Sequence, residues 1–219
     1  MKLIKDLLEN IIESEKKIFT NGEHYNQIGR QTRKKILEIA EDVNNGFFVE
    51  VGACMGTDTK LLEFAGWNGI LIEPSEGLYE FCKNTRSCIV ENYALVSNEY
   101  TEKTISNIPV FSPPNYITNY PSNSNLYKTI TFDSLAEKHN IKKVDIFVLD
   151  VEGLEIDILN GINFNKIEIT NFIIEANEQK YSLDFLNQLM SSKGYKNMGL
   201  AEHLGAPDSG LADYHYKKI

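Results

Sequence analysis

The chain is poor in cysteine, tryptophan, proline, basic residues and long apolar runs, and each shortage removes a class of protein. Only three cysteines (Cys54, Cys82, Cys88) and one tryptophan occur in 219 residues. An odd cysteine count without metal-like spacing argues against a disulfide framework or a zinc site, and for reduced thiols in a cytoplasmic setting. Apolar stretches are broken every few residues, well short of the ~18 or more that a membrane span needs. The start, Met1-Lys2-Leu3-Ile4-Lys5-Asp6, is basic, but acidic residues interrupt any apolar core before a small-residue cleavage site. No secretory signal is therefore expected. Lys and Arg number 22 against 31 Asp and Glu, a net charge of −9. Nucleic-acid binding rests on neutralising phosphates with Lys and Arg, so this deficit argues against such a partner. What is present is ordinary for a globular chain: 42% apolar and 24% charged residues, which excludes disordered and fibrous classes.

Near the start, Leu3, Ile4, Leu7, Leu8, Ile11 and Ile12 recur on one helical stripe, with Lys5, Asp6, Glu9 and Glu13 on the other faces. The polar side is too acidic for an anionic bilayer, so this helix is expected to pack on its own domain. A turn at Asn21-Gly22 precedes a second helical pattern through Ile36, Leu37, Ile39 and Ala40, ending before Asn44-Asn45-Gly46. Residues 1–45 thus read as a helical segment packed on a core, and 46–219 as one domain.

From Phe47 the rhythm changes. Short apolar runs occur at Phe47–Val51, Gly69–Glu73, Ile89–Val96, Val144–Asp150 and Asn171–Glu175. Helical patterns lie between several of them, at Leu61–Phe64, Leu78–Cys82, Phe132–Ala136, Ile156–Leu159 and Leu183–Met190. Near-continuous apolar strands alternating with helices predict a doubly wound α/β fold, a mostly parallel sheet covered on both faces. Two further strands, around Tyr195–Leu200 and Asp213–Lys217, predict a C-terminal antiparallel hairpin. Residues 104–128 hold Pro109, Pro113, Pro114 and Pro121, four of the six prolines, and read as one long loop.

The informative stretch is Glu50-Val51-Gly52-Ala53-Cys54-Met55-Gly56-Thr57-Asp58, at the end of the first strand. Its glycines let the backbone turn sharply and let a ligand lie against it, and the next helix offers unpaired amides. Glu73 ends the second strand twenty-one residues after Gly52. A carboxylate there is placed to accept from both ribose hydroxyls of a nucleoside at the switch point of the sheet. A dinucleotide reader would carry glycine where Cys54 stands. An acid beside the loop repels a pyrophosphate but suits a sulfonium and an amine, which favours S-adenosylmethionine over NAD. An NAD-type Rossmann oxidoreductase is the competing reading.

The runs Gly46–Ala53 and Gly66–Pro74 resemble the FkbM-type methyltransferases. So do Thr131–Leu135 and Val144-Asp145-Ile146-Phe147-Val148-Leu149-Asp150-Val151-Glu152-Gly153-Leu154-Glu155, and upstream Asn26-Gln27-Ile28-Gly29-Arg30-Gln31. The blocks follow in order across roughly residues 26–177. The resemblance implies a Rossmann-like class I methyltransferase that moves a methyl group from S-adenosylmethionine to oxygen, commonly a sugar hydroxyl. It implies a cofactor-facing set of Gln27, Glu50, Gly52, Ala53, Gly56, Asp58, Glu73, Pro74, Asn92, Ala94 and Asp150. Two positions depart from the family pattern Lys-x-Asp-x-Glu-Gly-His-Glu: Val148 replaces its lysine and Leu154 its histidine. A family member that binds the cofactor without turnover is therefore a third reading.

Methyl transfer is an in-line displacement, helped by positioning and by removal of the acceptor's proton. Asp150 and Glu175 end neighbouring strands, with Asn177 two residues on. Together they could hold Mg²⁺ against a vicinal diol. The metal-free alternative makes Asp150, Glu152 or His203 the base, and Asp150, Glu152, Glu175 and His203 are the catalytic candidates. Glu152 could instead favour the N-terminus of the following helix. His203 falls in Glu202–Pro207, which reads as a loop, and His215 alternates with tyrosines as a structural residue. Cys54 reads as a small space-filler. Arg30, Arg33, Lys34 and Lys35 form the most basic patch and could steer an anionic acceptor, such as a nucleotide-linked or lipid-linked sugar. The oligomeric state is open.

Overall fold

The computed structural model of the protein describes residues 30–106, 126–204 and 210–219, with only the backbone of Arg30, His203 and Leu204. The helix expected near residues 3–12, the turn at Asn21-Gly22, Gln27 and the proline cluster lie outside the described residues.

The first described element, helix α1 (Arg30–Ala40), is followed by strand β1 (Phe47–Val51), short helix α2 (Lys60–Phe64), β2 (Asn68–Ile72), α3 (Glu76–Thr85) and β3 (Ile89–Glu91). Further on come β4 (Ala94–Val96), β5 (Thr104–Ser106), β6 (Leu126–Thr131), α4 (Phe132–Lys138) and β7 (Lys143–Leu149). The last elements are α5 (Glu155–Gly161), β8 (Glu168–Asn177), α6 (Leu183–Ser192), β9 (Tyr195–Leu204) and β10 (Leu211–Lys218). Seven strands form the main sheet in the order β3-β2-β1-β7-β8-β10-β9. The strands from β3 to β8 pair in parallel, and β10 pairs antiparallel with both β8 and β9. The expected parallel sheet with an antiparallel C-terminal hairpin is thus present, and chain order reverses between β1 and β7.

The apolar runs are continuous because both faces are buried. Val49, Val51, Ile70, Ile72, Phe147, Leu149, Phe172 and Ile174 point into one core. Phe48, Leu71, Ile146, Val148 and Ile173 point into the other, where Ile36, Leu37 and Ala40 of α1 cover them. In the first core, Phe132 and Phe147 meet edge to face at 4.9 Å, and Phe172 and Tyr195 at 5.2 Å. Fully burying each such side chain stabilises the fold by about 1.5–3 kcal/mol.

Two expectations need correcting. The run Ile89–Val96 is not one strand. The Asn92 amide donates to the carbonyls of Glu73 and Pro74 at 2.9 and 3.0 Å, which turns the chain out of the sheet. Ala94–Val96 then pairs with β6 in a separate three-stranded sheet, β4-β6-β5. The expected loop 104–128 likewise begins and ends in strand: β5 and β6 pair antiparallel, Thr104 opposite Lys128 and Ser106 opposite Leu126. Its threonines and isoleucines, at home on a pleated surface, override the nearby prolines.

Candidate functional site

The candidate residues gather at the carboxyl ends of the parallel strands. Strand pairing runs on into the loops and fixes where each begins. Gly52 and Ala53 donate to the Ile72 carbonyl at 3.0 and 3.2 Å, and Asp150 to that of Val51 at 3.1 Å. Glu73 donates to the Glu91 carbonyl at 3.0 Å. Gly52 has φ +74°, and a Cβ there would lie 1.6 Å from the Asp150 carbonyl oxygen. Only glycine fits both the left-handed conformation and that approach.

Glu73 is buried, and its two oxygens accept from the backbone amides of Cys54 and Ser75, each at 2.8 Å. It therefore ties the glycine loop to the end of β2 and keeps lone pairs for a ligand. Burial raises its pKa to about 7, against the lowering pull of those amides. Asn92 sits beside Glu73 through its bonds to the Glu73 and Pro74 carbonyls, and Ala94 opens β4 just beyond. Tyr127 of β6 is close enough for Glu73 to raise its pKa, after burial, which brings the second sheet to this side of the site.

Glu50 is buried and turned under the loop. Its Oε2 accepts from the Thr59 amide at 3.2 Å and from the Thr59 hydroxyl, with Arg86 at 3.9 Å. Burial, then Asp58, raises its pKa. Arg86 also pairs with Glu63 at 2.7 Å and donates to the Gly56 carbonyl and to Thr59 Oγ1. It is the unforeseen hub of this loop. Asp58 on the rim pairs with Arg33 at 3.3 Å, and Arg33 also donates to Thr57 at 2.9 Å. Lys34 and Lys35 pair with Glu38 on their own helix, so much of the expected basic patch is internally neutralised. The Cys54 thiol is pushed up to about 12 by burial and by Glu73, which leaves it without nucleophilic character.

On the other side of the switch point, Asp150 is partly exposed. One residue past the Leu149–Ile174 pair, it comes level with Glu175. Burial, then Glu175 and Asp213, raises the Asp150 pKa well above the carboxylate range. Burial also raises that of Glu175, with Glu152, Glu155 and Asp213 adding to it. Glu175 is 3% exposed, and its Oε2 is buried with no hydrogen-bond partner. Asp213 stands opposite Glu175 across the β8–β10 pair, and Glu202 opposite Asp213. Thr32 of α1 joins these two, donating its hydroxyl to Asp213 at 2.5 Å and its amide to Glu202 at 3.0 Å. Neither acid stood out in the sequence.

Glu152 is exposed, with φ +56°, and its carbonyl accepts from Lys180. The residue that organises this loop is Glu155, fully buried, which accepts from the amides of Val151 at 3.1 Å and Gly153 at 2.8 Å. Tyr181 donates to Glu155 at 3.3 Å and to the Glu175 carbonyl at 3.0 Å, joining the loops after β7 and β8. The segment Glu202–Leu204 is strand rather than loop, and His203 pairs with Ala212. Its side chain lies outside the described residues. His215 has the structural place expected of it: burial lowers its pKa to about 4, and its Nε2 meets Asn171 Oδ1 at 3.0 Å.

Among the described residues no group of three or more His, Cys, Asp or Glu is placed to hold a metal ion. Asn177 Oδ1 accepts from the Gln179 amide at 3.1 Å. The structure therefore lends no support to Asp150, Glu175 and Asn177 as a Mg²⁺ site. No helix among the described residues is long and apolar enough to cross a membrane.

Strand order and the position of the site define a class I S-adenosylmethionine-dependent methyltransferase fold. The structure is similar to magnesium protoporphyrin IX methyltransferase from Synechocystis PCC 6803 with bound S-adenosylmethionine: TM-score 0.50, 11% identity, covering 95% of this chain and 91% of that one. It is also similar to an rRNA methylase from Streptococcus thermophilus: TM-score 0.51, 10% identity, covering 88% and 99%. No curated protein matches the chain. The methyltransferase FkbM domain matches residues 50–196, and the chain belongs to that family.

Proposed function

We propose that the protein transfers a methyl group from S-adenosylmethionine to a hydroxyl of a sugar or glycan precursor. The observation that carries the cofactor half is Glu73, buried, anchored by the Cys54 and Ser75 amides, and beside the glycine loop. In this reading the ribose hydroxyls donate to Glu73, and Asn92 and Ala94 border the adenine with Pro74. The backbone at Gly52, Ala53 and Gly56, with Asp58, encloses the methionine end. Glu50 shapes that loop from beneath.

The acceptor lies over the ends of β7 and β8. Its hydroxyl oxygen attacks the sulfonium methyl carbon in line. The C–S bond breaks as the C–O bond forms, yielding S-adenosylhomocysteine, a methyl ether and one proton. Asp150, partly exposed and with a raised pKa, takes that proton as general base. Glu175 beside it sustains that basicity by repulsion, while Glu152 and His203 lie on the acceptor side. A nucleotide or lipid carrier on the sugar would lie toward Arg33. Family and fold support methyl transfer over the nicotinamide reading, and the acceptor chemistry is the part under test. The experiment is incubation with S-adenosylmethionine carrying a deuterated methyl group and a panel of glycosides, read by mass spectrometry. A deuteromethyl ether supports the reading. Methylation of nitrogen or of RNA alone contradicts it.

A further inference from the structure

The second sheet, β4-β6-β5, stands on the Glu73 side of the site and brings there an aromatic side chain that the proposed reaction does not use. The sheet is tied in place by Glu73, whose amide donates to the Glu91 carbonyl at 3.0 Å, and by the Asn92 amide on the carbonyls of Glu73 and Pro74. Strands β4 and β6 then pair in parallel, Ala94 with Thr129 and Leu95 with Ile130. Leu95 lies in the first core, and Ile130 packs against it. Side chains alternate along a strand, so Thr129 and Tyr127 stand on the opposite face of β6, with Ala94 beside them. That face continues onto β5 with Ile105, which pairs with Tyr127. Counting back two residues from the Ala94–Thr129 pair brings Asn92 level with Tyr127. Tyr127 is half-buried, so a ligand can reach it. After burial, the charge of the Glu73 carboxylate is what raises the pKa of its phenol. The phenol therefore ends near the carboxylate to which the cofactor's ribose is assigned.

We propose that Tyr127 is a second ribose contact, its hydroxyl donating to the oxygen of a ribose hydroxyl whose proton Glu73 accepts, so that the second sheet completes the nucleoside subsite. This rests on the S-adenosylmethionine reading above. Each Glu73 oxygen already accepts from one backbone amide, that of Cys54 or Ser75, and as a carboxylate Glu73 can only accept from the ribose. A ribose hydroxyl that gives its proton to a carboxylate still carries lone pairs on its oxygen. Enclosing such an acceptor without a donor costs about 1–3 kcal/mol. A phenol supplies that donor without adding charge. Its neighbours on β6 do not compete for the place: Lys128 is exposed, and the Thr129 hydroxyl donates to the Glu102 carbonyl at 2.6 Å. Tyr127 is a binding residue and takes no part in proton transfer.

The test is calorimetry on the full chain with S-adenosylhomocysteine and with its 2′-deoxy and 3′-deoxy analogues. Removing the hydroxyl that Tyr127 meets deprives the wild type of two contacts, whereas Tyr127→Phe has only the Glu73 contact to lose. The variant is expected to bind S-adenosylhomocysteine about threefold to tenfold more weakly, as one neutral hydrogen bond implies. Its discrimination against one of the two analogues should shrink by the same factor. A tyrosine that merely supports the sheet would lower all three affinities alike and leave the discrimination unchanged. That result overturns the ribose contact, as does unaltered binding of S-adenosylhomocysteine by the variant, and either leaves the cofactor reading standing. Should Tyr127→Phe fail to fold, Tyr127→Leu removes the same hydroxyl and supplies the same comparison. If S-adenosylhomocysteine does not bind the wild type, the cofactor reading falls and takes the Tyr127 contact with it.

Discussion

The carbonyl oxygen of Asp150 occupies the space that a Cβ on Gly52 would need, 1.6 Å from that position. The glycine loop after β1 and the acidic loop after β7 are thus in backbone contact at the point where strand order reverses. A ligand in that crevice touches both.

Substituting Gly52→Ala should therefore disable the site without direct loss of any side-chain contact. The left-handed conformation alone costs about 1–3 kcal/mol for a residue with a Cβ, and the collision with Asp150 adds to it. We expect a lower melting temperature and a loss of S-adenosylhomocysteine affinity of about tenfold or more, read by thermal unfolding and calorimetry.

Arg86 should prove the main support of the glycine loop. Replacing it by Met keeps bulk but leaves Glu50 and Glu63 without their buried cation. Breaking a buried pair from one side costs about 3–5 kcal/mol. Denaturant unfolding of Arg86→Met should show a loss of this order, whereas a neutral result would mean that the loop is held by Glu73 alone.

Asp150→Asn should abolish methyl transfer and retain cofactor binding, because the cofactor-side contacts of this residue run through its backbone. Turnover at the wild-type rate in a deuteromethyl assay would remove Asp150 from the role of base.

Stability of the unliganded protein should decline as pH rises from about 4 to about 8. Glu73 and Asp213 have folded-state pKa values of about 7, above those of the unfolded chain. Burial is the first cause of both. Their contribution is complete below the unfolded carboxylate range, about 4, and is lost as pH rises through the folded values. His215 acts in the opposite direction. Burial lowers its pKa to about 4, so its contribution is present above the unfolded value and is lost as pH falls. Thermal unfolding across this range should show the decline, and Asp213→Asn should make it shallower.

Much of this architecture was legible in the sequence because it depends on local patterns. Phe47–Val51 and Val144–Leu149 are apolar on both faces, and that demands a sheet with two covers. Gly52 and Glu73 stand at a spacing set by one strand-helix-strand unit. What escaped was set by tertiary contacts. Arg86 ends a helix, where an arginine ordinarily faces water, and only its burial reveals its part. Glu155 reads as a first-turn helix acid, yet it organises the loop before that helix. Asp213 and Glu202 lie in strands far along the chain, and only the hairpin register brings them level with Glu175. The break at Asn92 inside an apolar run depends on carbonyls of the preceding loop, which no local propensity encodes.

The most direct test of the central claim, a nucleoside-bearing methyl donor seated at the β1–β7 crevice and held by Glu73, is calorimetric titration of the wild type and Glu73→Gln. The account predicts saturable binding of S-adenosylhomocysteine to the wild type and no heat with NAD. Removing one charge-assisted contact in Glu73→Gln should weaken binding about tenfold to a hundredfold. Absence of binding to the wild type, or unchanged affinity in Glu73→Gln, would contradict it.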